Sequence, residues 1–178
     1  MLIYGTGGHA KVIAEIARLR GMNVAGFFAD NVPDGVSFKD LPVLSYKGDY
    51  TPHLPIIIAI GSNSIRKRIA GLISHPSITL IHPAAIISPD TVIGEGTAVL
   101  AGAVLQADSE VGKHCIINVS SCVEHDAVVG DYVHIGPNCY IGGAATIGEG
   151  ALIGAGSVIM RNTNIAPWTE IPPGSVIK

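Results

Sequence analysis

The sequence of 178 residues is 48% hydrophobic and 14% charged, with 22 glycines and 11 prolines, which suits a packed core and excludes a disordered chain. A net charge of -3 with no basic run, and 5% aromatic residues, exclude the electrostatic and stacking footprint of a nucleic-acid binder. The absence of 18 consecutive apolar residues argues against membrane insertion, and the three cysteines, none in a Cys-x-x-Cys pair, fit a reducing, cytoplasmic setting.

In chain order, "MLIYG" reads as a strand ending at Gly5, and its N-terminus lacks the basic lead-in and unbroken apolar stretch of a signal peptide. "GTGGHA" follows and matches G-x-G-x-x-A. "AKVIAEIARLRG" has helical apolar spacing and stops at Gly21. "NVAGFFAD" is a second strand ending in Asp30, 25 residues after the first glycine. "PIIIAIG" is a third strand, ending at Gly61, and "SNSIRKRIAGLIS" is a helix capped by Ser62 or Asn63.

Residues 1–78 thus form a small Rossmann-like α/β domain with room for three or four strands. That is too few for a whole dinucleotide domain, so a mononucleotide or the nucleotide half of a sugar nucleotide is expected. Gly5 and Gly61 both open into helix starts, whose free N–H groups and positive dipole end attract phosphate. His9 follows the glycines, placed either to donate to phosphate or ribose or to cap the turn.

Residues 79–178 repeat every six. From Ile81 through Val99, Val123 and Ile147 to Ile171, each sixth residue is Ile, Val or Leu, and the residue two before it is small or β-branched. Two inward positions around one outward position make a short strand, and the rest of the hexad turns a corner. Three strands and three corners close an eighteen-residue coil, and stacked coils pair as parallel strands about 4.8 Å apart. The pattern predicts a parallel β-helix of hexapeptide repeats with about five coils. Glycine follows the aliphatic at residues 94, 112, 130, 136, 142, 148 and 154, where positive φ is expected. Cys115 and Cys139 take the small inward position and Cys122 faces outward.

The phase of the coil places the polar residues of "NVSSCVEHDAVVGDYVHIGPN". His125 stands at a corner, with Gly143 one coil later offering a backbone N–H above it. His134 is an outward residue half a coil away, and Asn118 is its near neighbour. His125 and His134 face different sides of one prism, so they meet only if His125 of one subunit faces Asn118 and His134 of the next. An imidazole near pKa 6.5 is a suitable proton acceptor, and Glu124 or Asp126 beside it is placed to fix its tautomer. With a Gly143 N–H for a developing oxyanion and no protein nucleophile, the set suits direct acyl transfer from a thioester to an amine or hydroxyl. His114, His125 and His134 stand at three different phases, which argues against a zinc site shared between subunits.

These stretches, with "IYGTGGHAKV", "FFADN", "IAIGSNSIRKRI" and "IHPAAIISP", resemble the bacterial nucleotide-amino-sugar N-acetyltransferases of the UDP-4-amino-sugar, bacillosamine-pathway type, within a group that includes sialic-acid O-acetyltransferases. The resemblance implies a left-handed β-helix, a cytoplasmic homotrimer, acetyl-CoA as acyl donor, no metal, and a UDP-linked amino sugar as acceptor. It implies His125 as general base with Asp126 as its partner, Asn118 near the acceptor amine, and His134 as a second active-site histidine. It places Gly142, Gly143, Ala145, Ala155 and Arg161 along the coenzyme, and Gly5, Gly7, Gly8, His9, Asp30, Asn31, Gly61, Asn63 and Arg66 along the nucleotide. The closing "IPPGSVIK" departs from the G-x-P-A-K tail common in that family, which alters the expected coenzyme contacts near the C-terminus. Sugar O-acetylation, and a non-catalytic sugar-nucleotide scaffold, are the alternative functions.

Overall fold

The computed structural model describes residues 1–30, 32–33 and 35–178. Strand β1 (Leu2–Tyr4) leads into helix α1 (Gly8–Leu19), then β2 (Gly26–Ala29), β3 (Ser37–Phe38), β4 (Leu41–Ser45), β5 (Ile56–Ile58) and helix α2 (Asn63–Ala70). The strands order β3-β4-β2-β1-β5, with β1, β2, β4 and β5 parallel. Apolar residues at helical spacing on α1, namely Ala10, Ile13, Ile16 and Ala17, are all buried, as that spacing requires. The β3–β4 hairpin was not expected. Its turn residues Lys39 and Asp40 both take positive φ, without the glycine that usually marks such a turn, and Pro42 interrupts the strand pattern.

From β6 (Leu80–Ile81) to β22 (Val176–Ile177), seventeen two-residue strands recur every six residues and stack into three parallel sheets of six, five and six strands. Partners lie eighteen residues apart, as in Ile117 with Ile135 and Ile135 with Ile153. The interior is a column of Val99, Leu105, Val111, Ile117, Val123 and their successors, with Ala103, Cys115, Ala127 and Cys139 filling the small positions. Buried hydroxyls in that series are satisfied locally: Thr97 Oγ1 donates to the Gly112 carbonyl at 2.8 Å and Ser121 Oγ to the Asn118 carbonyl at 2.7 Å.

The glycines after the aliphatic residues do not take positive φ, contrary to expectation. The left-handed position falls two residues later, at 96, 102, 108 and every sixth residue to 174, and is filled by Asp108, Ser120, Asp126 and Asn138 as well as by glycine. The earlier glycines answer to packing between coils. A β-carbon at Gly148 would lie 2.4 Å from the Pro167 nitrogen, and one at Gly112 would lie 2.7 Å from the Asp131 nitrogen.

The front domain rests on one face of the β-helix. Outward residues Leu80, Ala98 and Ile116 of that face share a buried cluster with Ile13, Ile16 and Phe27. Polar stays complete the joint. Asn63 Nδ2 donates to the carbonyls of Gly150 and Ala151, both at 3.0 Å, and Lys67 pairs with Glu149 beside the Tyr132 and Trp168 rings.

Candidate active site

The carboxyl ends of β1, β2 and β5 open into a cleft, the usual ligand position of an open α/β sheet. It brings together Gly5, Gly7, Gly8, His9, Asp30 and Gly61. Gly5 has φ 121, and a β-carbon there would meet the Ala59 carbonyl oxygen at 2.8 Å, so only glycine fits this approach of β1 to β5. Tyr4 donates its hydroxyl to Asp30 Oδ1 at 2.5 Å, and Arg68 Nη2 reaches Asp30 Oδ2 at 3.2 Å. These two bonds, Tyr4 first, hold the Asp30 carboxyl below the ordinary carboxylate range. Sequence reasoning missed Tyr4 and Arg68, whose only signal is their place at the end of β1 and within α2. Asn31 lies outside the described residues.

Two residues expected at the nucleotide do not line the cleft. Asn63 turns to the β-helix carbonyls. Arg66 is 1% exposed, with its guanidinium bonded to carbonyls of both domains, because the β-helix closes over the inner side of α2.

The outward residue His134 faces this front domain. Asn118 Nδ2 donates to its Nε2 at 3.1 Å, as the spacing implied, and Asn118 Oδ1 accepts the Val119 N–H. Burial pushes His134 down to about 4, with the Arg66 charge adding to the shift, so the ring is neutral at pH 7. His9 is likewise pushed down to about 4, first by burial and then by His134 and Arg66. The approach of His9 to His134 carries no sequence signal, since it joins a helix start to a strand 125 residues away.

His125 occupies a different edge, at a corner where the chain leaves Cys122–Val123. Its Nδ1 lies 2.7 Å from Asp126 Oδ2, and this hydrogen bond raises the imidazole above its ordinary value of 6.5. Asp126 thus takes the place that Glu124 had been equally entitled to; the nearest partner of Glu124 is Cys122 Sγ at 3.6 Å. A groove beside the imidazole is lined by Glu124, His125, Tyr140, Gly143, Ala144 and Arg161. Burial, with Glu124 close by, pushes the Cys122 thiol up to about 11, which leaves it un-ionised and a poor nucleophile.

Gly143 lies directly against His125, and a β-carbon there would come 3.0 Å from Nε2. No acceptor among the described residues takes the Gly143 N–H. The equivalent position of another corner shows what such an N–H donates to: Lys113 N–H bonds to the Asp131 carboxylate, one coil on, at 2.7 Å. The Gly143 N–H is therefore free for an oxyanion. Of the remaining coenzyme residues, Ala145 is a core residue with 0% exposure, because it holds the small inward position two before Ile147, and Gly142 is also buried. Ala155 is exposed, at a different corner from Gly143. Among the described residues no three His, Cys, Asp or Glu side chains are grouped to hold a metal ion, and no helix is long and apolar enough to cross a membrane.

An α/β nucleotide-type cleft docked on a hexapeptide β-helix with a corner histidine defines a class, the hexapeptide-repeat transferases with a front ligand domain. Residues 1–73 match the PglD N-terminal domain family, and residues 108–143 the bacterial transferase hexapeptide family of six repeats. The chain is 38% identical over 108 residues to UDP-N-acetylbacillosamine N-acetyltransferase of Bacillus subtilis, a match covering 56% of this chain and half the length of that enzyme. It superposes with TM-score 0.94 and 31% identity on a histidine variant of perosamine N-acetyltransferase from Caulobacter crescentus in complex with CoA and GDP-perosamine, covering 99% of this chain and 87% of that one. The acetyltransferase domain of PglB from Neisseria gonorrhoeae, in complex with acetyl coenzyme A, superposes with TM-score 0.69 and 30% identity over 98% of this chain and 93% of its own. The chain belongs to the nucleotide-amino-sugar N-acetyltransferase family.

Proposed function

We propose that this chain is an acyltransferase that moves the acetyl group of acetyl-CoA to the amine of a nucleotide-linked sugar. The observation that carries the reading is the His125–Asp126 pair set against the bare backbone of Gly143. His125 Nε2 takes a proton from the amine as its nitrogen adds to the thioester carbonyl. The Gly143 N–H donates to the carbonyl oxygen as it gains charge, and the imidazolium returns its proton to the departing thiolate. Asp126 holds the ring by Nδ1 throughout. Gly143 suits a thioester because no side chain stands between its amide and the groove, and Arg161 lines the same groove as a cation for the coenzyme's phosphates.

The nucleotide belongs in the cleft of the front domain, with its diphosphate at Gly7, Gly8 and His9 and its nucleoside toward Asp30. We put forward a UDP-4-amino-4,6-dideoxy sugar first, because the enzyme sharing 38% identity acts on a UDP sugar. The GDP-linked sugar is the second reading, favoured by the superposition of TM-score 0.94. A homotrimer fits the two faces of the β-helix that the front domain leaves bare, where Ile86, Val92 and Val176 are 66%, 62% and 59% exposed. In that assembly His125 of one subunit serves the sugar held by its neighbour beside Asn118 and His134. Three free cysteines among the described residues support a reducing, cytoplasmic setting. The test is thiol release from acetyl-CoA with UDP- and GDP-linked 4-amino sugars, run beside hydroxyl acceptors of the same nucleotides. Release with hydroxyl acceptors alone would transfer the function to O-acetylation.

A further inference from the structure

Arg66 combines complete burial with a charge that no acid offsets. Its Nε donates to the His114 carbonyl at 2.6 Å, Nη1 to the carbonyls of Ile60 and Gly61 at 2.9 and 3.1 Å, and Nη2 to Asn63 Oδ1 at 2.8 Å and the Tyr132 carbonyl at 2.7 Å. Among the described residues no carboxylate pairs with it. Carbonyl dipoles satisfy its hydrogen bonds but leave a full positive charge inside the protein, a costly arrangement unless a counter-ion arrives.

The contacts with Ile60 and Gly61 fix more than the joint between domains. A trans peptide points its N–H opposite its C=O. With both carbonyls turned to the guanidinium, the N–H groups of Gly61 and Ser62 point to the other side, where Ile60 and Gly61 wall the nucleotide cleft. Neither N–H has an acceptor among the described residues. The cleft thus ends on the outward Gly61 amide, with the Ser62 amide beside it in the adjoining groove of Gly61, Ser62 and Asn63. Both are backed by one buried cation, an arrangement of the kind that binds anions. His9, on the far lip of the cleft, has its proton affinity lowered first by burial, then by His134 and then by the Arg66 charge.

We infer that Arg66 is the buried counter-charge and positioning residue for the diphosphate of the bound nucleotide, acting through the Gly61–Ser62 peptides without touching the ligand. The inference rests on the nucleotide-sugar reading above, and it assigns Arg66 a selective role: it favours the diphosphate and is indifferent to the nucleoside. A purely structural stay would support both alike.

The experiment measures binding of UDP, GDP, uridine, guanosine and inorganic pyrophosphate to the full chain and to Arg66→Met and Arg66→Lys. If the unaltered chain binds neither UDP nor GDP, the nucleotide reading itself falls. If it binds one, Arg66→Met is expected to lower the preference for that diphosphate over its own nucleoside by about tenfold or more, the loss of one poorly screened charge, with acetyl-CoA binding unchanged. Arg66→Lys, which keeps the charge but loses the fork, is expected to melt lower yet keep most of that preference. Should Arg66→Met fail to fold, Arg66→Lys and the stabilisation of the unaltered chain by pyrophosphate, over sodium chloride of equal ionic strength, decide. Equal loss of nucleoside and diphosphate binding in the folded variant, loss of the preference in Arg66→Lys, or no stabilisation by pyrophosphate, overturns the inference.

Discussion

Gly143 and His125, one coil apart, occupy a single volume: a β-carbon on residue 143 would stand 2.9 Å from Cε1 of the imidazole. Gly143→Ala must therefore rotate the exposed His125 ring away from its place beside Asp126. Because a misplacement of about 1 Å costs roughly a hundredfold in rate, kcat is expected to fall by about that factor. The melting temperature and the KM for the nucleotide sugar should hold, since neither the core nor the front cleft is touched. Steady-state kinetics beside a thermal melt check this; an unchanged kcat would remove the glycine from the reacting centre.

Acidity tests the partnership of His125 with Asp126. The hydrogen bond from Asp126 raises the imidazole above 6.5, so the ring is protonated and inactive as a base below that raised value. The rate is expected to climb with pH through an acid limb lying above 6.5. Asp126→Asn removes the cause of the shift, so the limb should move to lower pH while the maximal rate falls. A limb that stays in place in Asp126→Asn means that another group sets it. Both side chains are well exposed, so this ion pair adds little to folding.

The buried histidines act in the opposite sense. His9 and His134 are held near 4 in the fold, mainly by burial, while an unfolded histidine titrates near 6.5. Between those values the unfolded chain binds more protons, so their contribution to stability is complete above pH 6.5 and is lost as pH falls toward 4. The melting temperature is expected to drop across that window, and less steeply in His134→Asn. Melts at half-unit pH intervals measure both slopes; parallel slopes would place the acid sensitivity elsewhere.

How far the sequence carries is clearest along the β-helix. Every inward residue was legible, because a period of six leaves one phase for the core and Ile117, Val123 and Ile135 all obey it. Gly143 over His125 followed from a step of eighteen, and Asn118 beside His134 from a step of sixteen, one coil less two. The joint between domains was not legible. Arg66 meets carbonyls of His114 and Tyr132, and a backbone acceptor has no signature in residue type. Ala145 was assigned to the coenzyme from family position although its own phase, two before Ile147, sends it inward.

Two glycines separate crowding from backbone conformation. Gly148→Ala forces a β-carbon to 2.4 Å from the Pro167 nitrogen, and overpacking of this kind costs about 3 kcal/mol. Gly156 has open space around it but φ 69, so Gly156→Ala costs only about 1 kcal/mol, the ordinary cost of a left-handed alanine. Urea unfolding of the two variants measures the difference, and the reverse order would mean that coil spacing yields more readily than the turn.

Thiol release from acetyl-CoA, driven by UDP- or GDP-linked 4-amino sugars and compared between the unaltered chain and His125→Ala, bears most directly on the proposed chemistry. Expected is release with at least one of these sugars and a drop of about a hundredfold or more when the imidazole is removed. Silence with both nucleotide sugars, or undiminished release from His125→Ala, would contradict it.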